Sequence, residues 1–128
     1  MLVFKPLIEW LKGFIDENEI YYGDGKSREF FIVKDSKTYL YDFTIKKYKL
    51  IIEYNGVKFH VNEKWPEEIK QNWKHPFKEL NYQDCIENDK FKDNLAIENG
   101  FKVLRIWSDS PIEENIDICK KFIEDEIK

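Results

Sequence analysis

The chain has 128 residues, a formal net charge of −4, 36% charged residues and 16% aromatic residues. That length holds one domain with a real core and is too short for two ordinary ones, so residues 1–128 read as a single domain. No apolar run reaches membrane-spanning length, two cysteines make no disulfide framework, and with two histidines a zinc cluster is not expected.

The first element is predicted from Phe4, Leu7, Ile8, Leu11, Phe14 and Ile15, which recur at helical spacing. They give an amphipathic helix from about Lys5 to Glu17, and its interspersed charges distinguish it from a signal peptide. A reducing cytoplasm fits such a chain. The turn-rich YGDGKS follows, then Arg28 to Val33 as a first strand and Asp35-Ser36 as a second turn.

The runs YLYDFTI (39–45) and YKLIIEY (48–54), joined across Lys46 and Lys47, predict an antiparallel hairpin. Three successive strands in a meander are therefore expected. Val61 to Asn81, with two prolines and many lysines, predicts a long loop holding one helical turn. A helix is predicted over Tyr82–Asn99 with Ile86, Leu95 and Ala96 inward, stopped by Gly100. Phe101 to Trp107 reads as a strand. Asp109-Ser110-Pro111 opens a last helix, along which Ile112, Ile116, Cys119, Ile123 and Ile127 form one stripe. This order predicts an α/β fold with a mixed sheet of about four strands and helices on its faces.

Each run of the hairpin carries one carboxylate that breaks its apolar pattern, Asp42 in the first and Glu53 in the second. For a hairpin loop of two, four or six residues, Asp42 shares a face with Ile51, Glu53 and Asn55. Two acids close together in an apolar sheet are costly unless a positive group lies between them, and a divalent metal is the simplest candidate. On an edge strand, Asp42 would instead point to solvent.

Asn55-Gly56 is either a two-residue hairpin turn or the end of a buried strand beside a site, where glycine permits close approach. His60 lies just beyond, with an ordinary pKa near 6.5 that suits proton transfer. Asp89, three residues after Ile86, can share the inward side of its helix and reach the sheet's acids or His60. Between Lys46 and Lys78 there are eight lysines against four acids, although the whole chain is acidic. That local excess suits a phosphate-contacting surface as well as a solvated face.

Glu29 in REFFI, Asp42 in YDF, His60 in EYNGVKFH and Asp89 in ENDKFK, followed by GFKVLRIW, form a dispersed series. In order and spacing it resembles the PD-(D/E)XK nuclease superfamily, in particular the very-short-patch-repair endonucleases and the phage homing endonucleases with an EDxHD pattern. The resemblance spans roughly Glu29 to Ser108. It implies a restriction-endonuclease-like core and a metal-dependent DNA endonuclease in a bacterial or phage-infected cell. Double-stranded DNA is the implied partner, with a homodimer or a separate recognition partner supplying target choice.

The resemblance implies Mg²⁺, or Mn²⁺, held by Asp42 and Glu53. His60, oriented by Asp89, would move the proton, and Glu29 would hold water or tune the histidine. Asn55 stands where the superfamily usually carries lysine and cannot act as a base. Lys46, Lys47, Lys49, Lys58 and Lys64 would contact phosphates, and Trp65 and Trp73 would stack on bases or belong to the core. The alternatives are a non-catalytic nucleic-acid-binding module with a degenerate nuclease fold, and a small interaction protein whose acids are merely surface.

Overall fold

The computed structural model describes residues 2–23 and 29–127. The expected Gly23-to-Ser27 turn lies largely outside them, as does Arg28, the expected start of the first strand. After a short 3₁₀ turn, helix α1 (Lys5–Leu11) buries Leu7, Ile8 and Leu11. It ends six residues sooner than the apolar spacing predicts. Gly13 lies in the turns that follow, and the Ile15 N–H closes on the Leu11 carbonyl at 2.8 Å. Phe14 is left exposed while Ile15 is buried.

Strands β1 (Ile20–Tyr22), β4 (Phe43–Ile45), β5 (Leu50–Asn55) and β6 (Lys102–Trp107) form one mixed sheet in the order β1-β4-β5-β6. The pairs β1/β4 and β4/β5 are antiparallel, while β5/β6 is parallel. Strands β2 (Phe30–Lys34) and β3 (Lys37–Tyr41) pair only with each other, as a separate ribbon. The expected meander is therefore split, and the run YLYDFTI is two strands rather than one. The break falls at Asp42. Tyr41 pairs with Phe30 in the ribbon, whereas Phe43 pairs with Tyr22 and Ile52 in the main sheet.

Alternation along β5 decides what lies on each side of the sheet. Leu50 and Ile52 face a core built with Phe4, Leu7 and Leu11 of the N-terminal segment and Ile116, Cys119 and Ile123 of α4 (Ile112–Ile127). The predicted stripe on α4 holds except at its start, where Ile112 is exposed. Ile51 faces the other way, into a smaller core with Tyr41, Ala96 and Phe101, closed over by Phe30, Ile32 and Tyr39 of the ribbon. Ala96 belongs to α3 (Tyr82–Glu98), which begins where the Asn81 side chain accepts the Asp84 N–H at 2.8 Å. A six-residue helix, α2 (Glu67–Asn72), is the only regular element in the long connection before it. No helix among the described residues is long and apolar enough to cross a membrane.

Candidate functional site

The β4–β5 connection holds four residues, since Ile45 pairs with Leu50. Even loop length brings Asp42 opposite Glu53, on the face that looks toward α3. The two acids interlock through the backbone. The Asp42 N–H donates to Glu53 Oε1 at 2.8 Å, and the Tyr54 N–H donates to Asp42 Oδ2 at 2.9 Å. Asp42 thus engages its N–H and one carboxylate oxygen locally while the chain changes sheets.

The positive group that this pair demands comes from the protein itself. Lys92 of α3 donates to Glu53 Oε2 at 2.7 Å, with the Glu53 side chain only 4% exposed. Burial raises the Glu53 pKa, as does the Asp42 charge, and Lys92 together with the Asp42 N–H opposes that shift. The cost of the acid pair therefore does not by itself require a metal.

Two residues further along the same face of β5, Asn55 is buried. Its Oδ1 accepts from Arg105 Nη1 at 2.7 Å, and its Nδ2 donates to Asp89 Oδ2 at 3.3 Å. Arg105 comes from β6, where the parallel register sets it beside Glu53. It also grips Asp93 with both Nε, at 3.0 Å, and Nη2, at 2.6 Å. That is the paired geometry a guanidinium makes best.

The hairpin-turn reading of Asn55-Gly56 is not what the chain does. Asn55 ends β5 against Trp107 of β6, and the carbonyl of Gly56 accepts the N–H groups of Phe59 and His60, each at 3.0 Å. That turn aims His60 back toward α3. Its Nδ1 lies 3.1 Å and 3.2 Å from the two oxygens of Asp89. Burial alone lowers the His60 pKa, but the hydrogen bonds to Asp89 and Cys85 and their charges outweigh it, raising it to about 9. His60 is therefore an imidazolium at neutral pH, held by a carboxylate.

This pair has a pH signature. A raised folded-state pKa contributes stability that is full below the ordinary value near 6.5 and is lost as pH rises through about 9. The shift is discounted because one-third of the His60 side chain is exposed. His60→Gln is then expected to lose roughly 1–2 kcal/mol relative to the parent at about pH 6, and little at about pH 10. Denaturant unfolding at both pH values measures it. A pH-independent difference would show that the pair is uncharged.

The structure joins Asp42, Glu53, Asn55, His60 and Asp89, sets Lys64 in a cleft beside Asp89, and leaves the other expected residues apart from them. Glu29 is exposed, with its carboxylate over Gly23, where a Cβ would come within 2.7 Å of Oε1. One more ribbon pair would bring Glu29 opposite Asp42, but the ladder ends at Phe30 and Tyr41. Lys46, Lys47 and Lys49 sit in the β4–β5 turn, at the far end of β5, roughly 20 Å of strand from Asn55. Lys64 is on the near side, in a cleft of about 330 Å³ lined also by Lys90, Asp89, Asp93, Arg105 and Trp107. Lys58 is exposed in the turn before His60.

Both tryptophans are half-buried and engaged within the protein. Trp65 packs against Trp107, and Trp73 Nε1 donates to the Val57 carbonyl at 3.0 Å. The exposed rings here are Phe59 and Phe77, 42% and 83% exposed and stacked 6.1 Å apart.

Lys92, Arg105, Asp93 and Cys85 are the members that sequence reasoning missed. Arg105 did carry a signal, as the lone charge within VLRIW, and Lys92 lies one helical turn beyond Asp89. Asp42 Oδ1 has no hydrogen-bond partner among the described residues. It is the open ligand atom a hard cation would use, with Glu53 beside it. No protein-family model, curated protein or solved structure matches this chain.

Proposed function

We propose that the chain is a metal-dependent DNA endonuclease with a restriction-endonuclease-like core, similar to the very-short-patch-repair and EDxHD homing enzymes. The observation that carries this reading is the convergence on one face of β5 of two different pairs. Asp42 and Glu53 form an acid pair with an open oxygen, and His60 and Asp89 form an imidazolium–carboxylate pair. Phosphodiester hydrolysis needs both chemistries, charge stabilisation at the phosphoryl group and a proton for the leaving oxygen.

In this mechanism Asp42 and Glu53 would hold Mg²⁺ or Mn²⁺, which when bound would supply Lewis-acid stabilisation of the phosphoryl oxygens and a more acidic water. The remaining roles belong to the side chains. His60, protonated at neutral pH, donates its proton to the leaving 3′-oxygen. Asp89 orients the ring and keeps it charged. Arg105 fixes Asn55, Asp93 and the Asp89 carbonyl, so that α3 and β5 present their groups in one geometry. Glu29 takes no part unless the ribbon ladder extends.

Lys58 and Lys64 are the phosphate contacts nearest His60, and Phe59 and Phe77 are the rings free to stack on bases. Phe77→Ala is expected to weaken DNA binding by roughly 1–3 kcal/mol without altering its salt dependence. Replacing Lys58 and Lys64 by glutamine should lower the salt slope by about two. Titrations at several salt concentrations separate the two effects, and an unchanged slope in the lysine variant would put the phosphate surface elsewhere.

The second reading is a nucleic-acid-binding module derived from such a nuclease, and Lys92 favours it, because Glu53 is already neutralised without metal. Incubation of supercoiled plasmid with purified protein decides between them. Nicking or linearisation with Mg²⁺ and none with EDTA supports the enzyme. Salt-sensitive binding without cleavage supports the module.

A further inference from the structure

Cys85 bears on the mechanism above only through the charge state of His60, and it lies against the proton-transfer pair. It is buried, and its thiol donates to the Phe59 carbonyl with sulfur and oxygen 3.6 Å apart. Cys85 and Asp89 are four residues apart on α3 and so lie on one face of the helix. His60 comes to the same place from the turn after β5. One donor atom from each of the three, a thiol sulfur, an imidazole nitrogen and a carboxylate oxygen, lie within 4.8 Å of one another. Around a tetrahedral zinc ion, bonds of about 2.0–2.3 Å put neighbouring donors roughly 3.3–3.7 Å apart. The cluster closes to that spacing by side-chain shifts of roughly an ångström.

We propose that Cys85, His60 and Asp89 form a site for a thiophilic divalent cation, Zn²⁺ in the first instance, whose binding takes His60 out of proton transfer. Sulfur and imidazole select such an ion over Mg²⁺, which prefers the all-oxygen pair Asp42 and Glu53. Three protein donors leave a fourth position for water or another small ligand. Thiol and imidazole ligate in their deprotonated forms, so binding competes with protons at these donors. The Cys85–Phe59 hydrogen bond is given up in the exchange. The chain would then read two classes of cation in opposite senses, the hard ion at the acid pair permitting cleavage and the soft ion at the histidine stopping it. The site itself is independent of the nuclease reading, and only its inhibitory consequence rests on that reading.

Co²⁺, a spectroscopic substitute for Zn²⁺, tests the site on the full chain without DNA. The parent is expected to bind one ion per chain, with a thiolate-to-cobalt charge-transfer band and visible bands of tetrahedral strength. Zn²⁺ should abolish them by competition, and excess Mg²⁺ should not. Cys119 is the control thiol, buried in the apolar core on the other side of the sheet with its pKa pushed up to about 12. Cys119→Ser should keep the band. Cys85→Ser and Cys85→Ala should lose it, with Zn²⁺ affinity lowered more than the 10–100-fold typical of a residue that only supports a ligand.

Absence of the band from the parent would overturn the site, whatever the variants do. An equal band in folded Cys85→Ser would overturn it as well. If the parent cleaves DNA, stoichiometric Zn²⁺ should stop it in excess Mg²⁺, and each Cys85 variant should keep its own zinc-free rate. If the parent does not cleave, the cobalt spectrum still decides the site, so failure of the nuclease reading remains distinguishable from failure of this one.

Discussion

Lys92→Met is expected to lower folding stability by roughly 3 kcal/mol in metal-free buffer, and millimolar Mg²⁺ is expected to restore much of it. The loss follows from leaving Glu53 buried beside Asp42 with no cation against it. Breaking such a pair typically costs about 3–5 kcal/mol, and the lower end applies because Lys92 is 25% exposed. The recovery follows from ligand linkage. A cation that binds only the folded site stabilises it by about 2.7 kcal/mol at a hundredfold excess over Kd. The parent should respond less, since its Glu53 already holds an ammonium.

Glu53→Gln combined with Lys92→Met removes both charges, so it should be milder than Lys92→Met alone and insensitive to Mg²⁺. Chemical denaturation of the three proteins with EDTA and with Mg²⁺, at constant ionic strength, reads all of this. A Lys92→Met protein that Mg²⁺ does not stabilise would mean that the acid pair is a structural clamp and no metal site.

Asp42→Asn and His60→Gln should separate the two halves of the proposed chemistry. Asp42→Asn removes the open carboxylate oxygen and should bring cleavage to background while DNA binding persists. His60→Gln should leave metal-induced stabilisation in place and slow cleavage by roughly 10²–10⁴, the usual worth of a positioned acid. The pH profile adds a sign. A general acid must be protonated, so the parent's rate should fall as pH rises through about 9. His60→Gln should lack that limb. A limb rising to a plateau in the parent would make His60 a base, and full activity in His60→Gln would remove it from the mechanism.

Much of this site was legible because it depends on strand parity. The runs on either side of Lys46-Lys47 set Asp42 against Glu53 for any even loop, and the loop has four residues. Asp89 on the inward side of α3 was legible from helical spacing. What could not be read is what answers the acids. Lys92 and Arg105 are two among 21 basic residues, and they reach Glu53 and Asn55 only after α3 and β6 have packed on β5.

The meaning of Asn55-Gly56 was likewise set from a distance. Locally it is a good turn, but β6 continues alongside β5 to Asn55 and leaves the following segment no strand to return on. The ribbon escaped notice because YLYDFTI reads as one strand in which Asp42 is only a polar interruption, whereas the choice of partners divides it there. The lysine-rich stretch was one feature on paper and two in space. Its first three members turn at one end of β5, and Lys58 and Lys64 lie beyond the other.

The single residue between β3 and β4 gives the ribbon a mechanical meaning. One residue spans at most about 3.6 Å and offers no slack. The ribbon is therefore tied to the main sheet at Asp42 and packed on it through Phe30, Ile32 and Tyr39. Its outer side carries Phe31, Val33 and Leu40, all exposed. A push or pull on that side reaches the main sheet by two routes, through the packing of Phe30, Ile32 and Tyr39 around Ile51 and Val103, and through the Asp42 N–H on Glu53 and the Tyr54 N–H on Asp42.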